Sequence, residues 1–278
     1  MLPGPLETDL RRAAEAIASA DALVVGAGAG MGVDSGLPDF RGNEGFWKAY
    51  PPFRERGLSF VELANPVWFH RDPAQAWGFY GHRLQLYRDT APHRGFARLL
   101  GWANSCRQGY FVFTSNVDGH FQRAGFDARR TVECHGSIHH LQCADPCSSA
   151  IWPADDLSMA IDERDFRARE PLPRCPHCGR MARPNVLMFG DGDWVGRRSD
   201  DQWQCYSNWL GELPSDCRLV TIECGAGTAV PTVRHHCERL PGLLVRINPR
   251  EPQVPRGAIG LASNAAAALD RLAELIDS

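Results

Sequence analysis

No stretch of this sequence is apolar for the ~18–20 residues that a helix needs to cross a bilayer. Its opening residues, MLPGPLETDLRR, lack the basic and then apolar segments of a secretory leader. A membrane partner is therefore not expected, and the expected location is the cytoplasm. An excess of one charge is missing too. The 30 Lys and Arg stand against 33 Asp and Glu, a net charge of −3, and the pI is about 6.4. That excludes the global basic footprint of a nucleic-acid binder. The chain has no internal repeat, and no low-complexity run beyond residues 265–268, a short alanine stretch that reads as helix.

What is present suits a packed fold. At 278 residues, the chain has room for one full core and a smaller lobe. A hydrophobic fraction of 44% and a charged fraction of 23% are those of ordinary globular proteins. There are ten cysteines, but only two pairs are closely spaced. With no oxidising compartment indicated, metal binding is a better first reading than disulfides.

Apolar spacing over residues 8–19 predicts a helix, and the apolar run 22–25 leads into a glycine-rich segment at 26–32, the order helix, strand, phosphate loop. Further apolar runs at 110–114, 218–222 and 243–247 end in polar or glycine-containing turns, as buried parallel strands do before a crossover helix. The fold class is therefore α/β, a Rossmann-like doubly wound parallel sheet. Residues 141–181 interrupt it with four cysteines, several prolines and little periodicity, so a small module stapled by metal is expected there. The main domain is then 1–140 together with 182–278, and residues 43–90 are a candidate helical or lid part of the small domain. Residues 262–276 predict an amphipathic helix over one face of the sheet.

Five groups of residues carry chemistry. Gly28, Gly30 and Gly32 let the backbone approach a diphosphate, although their spacing is not G-x-G-x-x-G and a tight turn explains them as well. Just beyond, Pro38 stiffens the loop, Asp39 and Arg41 offer opposite charges, and Phe40 offers a flat apolar face. At a strand end, Thr114-Ser-Asn-Val-Asp118 places Asn116 and Asp118 to bond ribose hydroxyls and a carboxamide, or to cap a turn. In Cys134-His-Gly136, His135 titrates near neutrality and suits a base, if it is not structural. Cys143-x3-Cys147 with Cys175-x2-Cys178 makes a tetrahedral zinc set whose four thiolates leave no open position, so the metal is structural. Lastly, Tyr80 and Arg83 lie three apart on one helix face and could jointly hold a carboxylate, or simply pack. The aromatic segment 42–68, with Phe46, Trp47, Tyr50 and Phe53, reads as a lid or as packing.

The run Gly28-Ala-Gly-Met-Gly-Val-Asp-Ser-Gly-Leu-Pro-Asp-Phe-Arg-Gly42 resembles the signature of the sirtuin (Sir2-like) family of NAD-dependent protein deacylases. The likeness extends over about residues 20–275. Residues 114–118 are similar to the family's Thr-Gln-Asn-Ile-Asp, a His-Gly pair follows, and Arg183-Pro-Asn-Val-Leu-Met-Phe-Gly-Asp191 resembles its Arg-Pro-x-Val-Val-x-Phe-Gly-Glu. The resemblance implies NAD as cosubstrate, structural zinc on Cys143, Cys147, Cys175 and Cys178, and an acyl-lysine protein or peptide as partner. It implies His135 as catalytic base, with Asn116 and Asp118. Cofactor contacts are implied for Gly28, Ala29, Gly30, Asp39, Phe40, Arg41, Ser115, Gly225, Gly227 and Asn248. Phe40 would cover the nicotinamide side and Arg41 lie near the phosphates. Val186, Phe189 and Gly190 would belong to the acyl-lysine channel, and Tyr80 with Arg83 looks like the Tyr-x-x-Arg pair of the branch that removes succinyl and malonyl groups.

The chain departs from the pattern at Gly32 and Ser115, where serine and glutamine are usual, and at Gly227 in Gly225-Ala-Gly. Each departure removes a side-chain hydrogen bond worth about 0.5–1.5 kcal/mol. The expected function is an NAD-dependent protein-lysine deacylase that releases nicotinamide and O-acyl-ADP-ribose. A mono-ADP-ribosyltransferase or NAD hydrolase on the same scaffold, and a non-catalytic NAD or ADP-ribose sensor, are the alternatives.

Overall fold

Alternation of apolar and charged positions makes the first helix, Pro5–Ala18, and Leu10, Ala13, Ala14 and Ile17 set its buried stripe. In the computed structural model, which describes residues 5–38, 42–162 and 164–278, that stripe lies on a core shared with the last helix, Ala265–Ile276. Strand β1 (Ala22–Ala27) is buried at all six positions, as its unbroken apolar run requires of a strand covered on both faces. β2 (Tyr110–Thr114) and the short β3 (Thr131–Glu133) follow it.

The chain then leaves the sheet. β4 (Gly136–Cys143), β5 (Ile151–Pro153), the two-residue strands β6 (Ile161–Asp162) and β7 (Arg167–Ala168), and β8 (Ala182–Val186) form the lobe, with a three-stranded antiparallel sheet ordered β5-β4-β8. Its strands reach beyond residues 141–181, since β4 begins at Gly136 and β8 ends at Val186. β9 (Leu219–Cys224), β10 (Leu243–Ile247) and β11 (Ile259–Leu261) return to the main sheet. The order there is β11-β10-β9-β1-β2-β3, every pairing parallel. The doubly wound fold expected from the sequence is therefore present, and its switch point lies between β1 and β9.

Below the sheet, Asp21 ties three strands together. Its carboxylate accepts from the backbone N–H and guanidinium of Arg218 at 2.9–3.0 Å, and its carbonyl accepts from Gln108 N at 2.8 Å. These bonds from Arg218 hold the Asp21 carboxyl far below the usual carboxylate range.

The aromatic segment packs as a core. Phe46, Tyr50 and Phe53 are fully buried among Phe79 and Phe166, and Trp77 donates to Ala182 O at 3.0 Å. Residues 43–90 thus share their hydrophobic cluster with the lobe rather than with the sheet. Gly78 is required at this seam, because a Cβ would lie 1.7 Å from the Phe166 carbonyl oxygen.

Within the sheet, Arg246 on β10 faces Glu223 on β9, with N–O distances of 2.6 and 2.8 Å and a further bond to Glu238 at 2.8 Å. Arg246 is 1% and Glu223 0% exposed. Removing one partner strands a buried charge. Arg246→Met is therefore expected to lower stability by ~3–5 kcal/mol in urea titrations, and adding Glu223→Leu to recover most of the loss. An additive double variant would show that the pair does not act as one unit.

Candidate active site at the carboxyl edge of the sheet

Open α/β sheets bind ligands where adjacent crossovers run in opposite directions, beyond the carboxyl ends of the strands. Here β1 ends in Gly28-Ala29, β2 in Ser115-Asn116, and β9 in Gly225-Ala226-Gly227. Gly28 N donates to Cys224 O, and Gly30 N to Gly225 O, both at 3.0 Å. A Cβ on Gly28 would lie 2.7 Å from the Ala226 Cα, and one on Gly225, whose φ is +63°, 2.5 Å from the Met31 nitrogen. Only glycine permits these two loops to touch.

Above them opens a cavity of about 760 Å³. Gly28, Ala29, Tyr80, Arg83, Ser115, Asn116, Asp118, His135, Val186, Phe189 and Gly227 are among the residues of its wall. The structure thus brings most of the sequence-derived candidates into one space. Gly30 and Gly225 stand behind that wall as the touching backbones. Asn248 is fully buried, where its Nδ2 donates to Ala226 O at 2.8 Å and its Oδ1 accepts from the Arg250 and Glu251 amides at 3.0 Å, so it shapes the loop after β9. Gly190 turns the chain at φ +68° beside Phe189. Asp39, Phe40 and Arg41 lie outside the described residues.

Each polar group is fixed from below. Thr114 Oγ1 donates to Ala27 O and accepts from Asn116 N, and Asn116 Nδ2 donates to Gly28 O at 3.0 Å. Asp118 is 6% exposed, and its Oδ1 accepts from His120 N at 2.9 Å. His135 sits on the turn between β3 and β4, and its carbonyl accepts from Leu187 N at 2.9 Å, which locks the 186–189 segment beside it. Burial pulls the His135 imidazole pKa below its ordinary value, and a bond with the Ser115 backbone opposes this in part. At neutral pH it is therefore uncharged, the form that accepts a proton.

Sequence reasoning missed Tyr87. It lines the same cavity, and its hydroxyl accepts from Arg83 Nε at 3.1 Å and Nη2 at 2.6 Å. The signal was the i, i+4 spacing from Arg83, which puts both on one face of the helix Pro73–Asp89.

In the lobe, the Sγ atoms of Cys143, Cys147, Cys175 and Cys178 all lie within 4.8 Å of one another, and the pairs Cys143–Cys178 and Cys147–Cys175 are 3.7 Å apart. Tetrahedral zinc with Zn–S bonds of about 2.3 Å requires sulfurs about 3.8 Å apart, whereas a disulfide requires about 2.05 Å. The donor set fits structural zinc.

A doubly wound parallel sheet with a glycine-walled cavity at its switch point carries a lobe whose four cysteines are grouped as a zinc site requires. Residues 28–201, more than half of the chain, match the Sir2 family, and the chain belongs to it. It is 37% identical over 186 residues to a protein named NAD-dependent protein deacylase 1 from Pseudomonas aeruginosa, covering 66% of this chain and 67% of that one. It is 34% identical over 187 residues to the NAD-dependent protein deacylase of Thermococcus kodakarensis, covering 66% and 65%. The chain thus matches about two thirds of the length of these relatives. A Sir2 homologue solved with ADP-ribose shares the fold, with a TM-score of 0.70 at 24% identity over 96% of both chains.

Zinc binding is folding free energy of order 10 kcal/mol, so Cys175→Ser is expected to yield metal-free, largely unfolded protein by elemental analysis and circular dichroism. A folded variant without metal would remove the staple from the account. An NMR titration should place the His135 imidazole below the unperturbed midpoint of ~6.5. A midpoint above it would mean that a charge partner, not burial, sets the group.

Proposed function

We propose that this protein uses NAD to remove acyl groups from lysine side chains of proteins or peptides, releasing nicotinamide and O-acyl-ADP-ribose. The observation that carries the reading is the single cavity in which His135, Asn116 and Asp118 meet the Gly28-Ala29 turn on one side and the 186–189 segment on the other. The relatives named as NAD-dependent protein deacylases support it.

When bound, NAD supplies a sugar carbon whose bond to nicotinamide can be broken. The cavity is bordered by the Gly28-Ala29 turn and Gly227, where a diphosphate can approach the backbone. Asn116, with its amide nitrogen committed to Gly28 O, keeps its oxygen for a ribose hydroxyl or a carboxamide. Asp118 is held by the His120 amide and fixes the neighbouring group. The uncharged His135 takes the proton from the ribose hydroxyl that receives the acyl group. A substrate peptide lies as an added strand along the 186–189 segment, where Leu187 and Phe189 present exposed apolar side chains and Val61 faces them from the helix Phe60–Leu63.

For the acyl end we assign acidic chains. The Tyr80 hydroxyl is buried at the cavity wall with no hydrogen-bond partner, and Tyr87 holds the Arg83 guanidinium beside it. A carboxylate there would give the Tyr80 hydroxyl a partner and lie beside the Arg83 charge.

Mass spectrometry of nicotinamide release tests the scheme, using acetyl-, succinyl- and long-chain-acyl-lysine peptides. Release should require an acyl peptide, and His135→Ala should lower it by about 10²–10⁴-fold without unfolding the protein. Release without peptide would favour ADP-ribose transfer or NAD hydrolysis, and tight NAD binding without release would favour sensing. Tyr80→Phe and Arg83→Met should each cost succinyl-lysine turnover about 10–100-fold more than acetyl-lysine turnover, the worth of a charge-assisted hydrogen bond. Equal losses on both peptides would overturn the acidic assignment.

A further inference from the structure

A second cavity, of about 590 Å³, lies between the 3-10 turn Ala128–Arg130, the lobe strands β4 and β5, and the helix Arg197–Glu212. It shares no lining residue with the first. Its wall gathers three guanidiniums, from Arg129, Arg197 and Arg198, against the one lining carboxylate, Asp201. Arg198 is salt-bridged through Nη2 to the buried Glu133, yet its Nη1 is shielded from water and has no partner. His140 Nδ1, on the opposite wall, is likewise shielded and unpartnered. Arg197 makes no ion pair among the described residues, and Arg129 reaches only Asp127, at 3.5 Å, with a side chain 89% exposed.

We infer that this cavity is a binding site for a small phosphate-bearing anion. Guanidiniums present forked N–H donors that match phosphate oxygens, and two polar atoms left without partners are the kind that a ligand satisfies. Ser149 adds a hydroxyl to the same wall. No Phe, Tyr or Trp lines the cavity, while three guanidiniums do, so the ligand is assigned as a phosphate or the phosphate of a small polar carrier. The local positive field registers on its neighbour as well. Burial, and next the charge of Arg198, push the His140 pKa down to about 4, so the imidazole is neutral at pH 7.

The site is joined to the first cavity through the chain itself. Glu133 receives Arg198 on its carboxylate, donates its N–H to Gln202 Oε1 at 3.0 Å, and accepts from Ser199 Oγ on its carbonyl at 2.7 Å. It stands two residues before His135.

Isothermal titration of the full zinc-bound chain with inorganic phosphate, and separately with glucose 6-phosphate, tests the assignment at fixed ionic strength. Saturable binding of either probe is expected, with the free ion and the carried phosphate told apart by which binds more tightly. The exposed pair Arg129→Gln/Arg197→Gln should weaken that binding at least about tenfold, while Asn116→Ala, in the first cavity, should leave it unchanged. No saturable heat from either probe would overturn the inference. So would binding that survives the arginine variant, or that is lost with Asn116→Ala.

Discussion

The site depends on two backbones being allowed to touch. At the switch point the turn after β1 and the turn after β9 meet with N–H···O distances of 3.0 Å, and side chains at Gly28 or Gly225 would place a carbon within 2.5–2.8 Å of the opposing chain. Real Cβ atoms do not approach that closely, so the contact is available to glycine alone. Everything above it takes its position from this contact. Thr114 hangs from Ala27, Asn116 from Gly28, and Asn248 holds the turn after β9 through Ala226 O.

Burial, not charge pairing, sets the chemistry of His135. Desolvation disfavours the imidazolium, and the bond with the Ser115 backbone favours it; the first wins, and the ring stays neutral at pH 7. Arg83 shows the opposite balance. Burial disfavours its charge, but Tyr87, Tyr80 and Tyr50 together outweigh that, and its guanidinium lies 5.2–5.7 Å from the ring centroids of Phe60, Phe79, Tyr80 and Tyr87. A neutral imidazole and a charged guanidinium therefore share one cavity, because burial governs the first, whereas phenol oxygens and aromatic faces surround the second.

What was legible in the sequence was local. Buried strands show as unbroken apolar runs, strand ends show as glycine and Asn-Asp turns, and a thiol set shows as two close pairs, because each is decided within about ten residues of chain. The less legible features depend on pairing across the fold. β11 is three residues long and exists through its register with β10, so no period announces it, and the last helix begins at Ala265 rather than 262, after Asn264 at its N-cap. β4 runs outside the lobe's cysteines because it pairs with β8, with a register shift between Ser137 and Leu141 that no spacing rule reveals. The rings of 42–68 suited a lid as well as a core. Only contact with Phe79 and Phe166 decides for the core.

Gly32 shows why a departure from a family pattern is better weighed by geometry than by counting lost bonds. By that count, replacing serine removes one hydrogen bond worth about 0.5–1.5 kcal/mol. In the fold, however, a Cβ at this position would sit 2.9 Å from Leu37 Cδ1 and 3.6 Å from Asp118 Oδ2. A serine hydroxyl would then bear directly on the carboxylate that the His120 amide now holds through Oδ1. Glycine lets Leu37 close over the turn and leaves Asp118 Oδ2 unshared with a local hydroxyl. Leu37 lines the cavity as a result. The change thus exchanges a polar contact from the loop for an apolar wall and a less encumbered carboxylate. Its effect falls first on the surroundings of the Asp118 carboxylate, and only second on the stability of the loop.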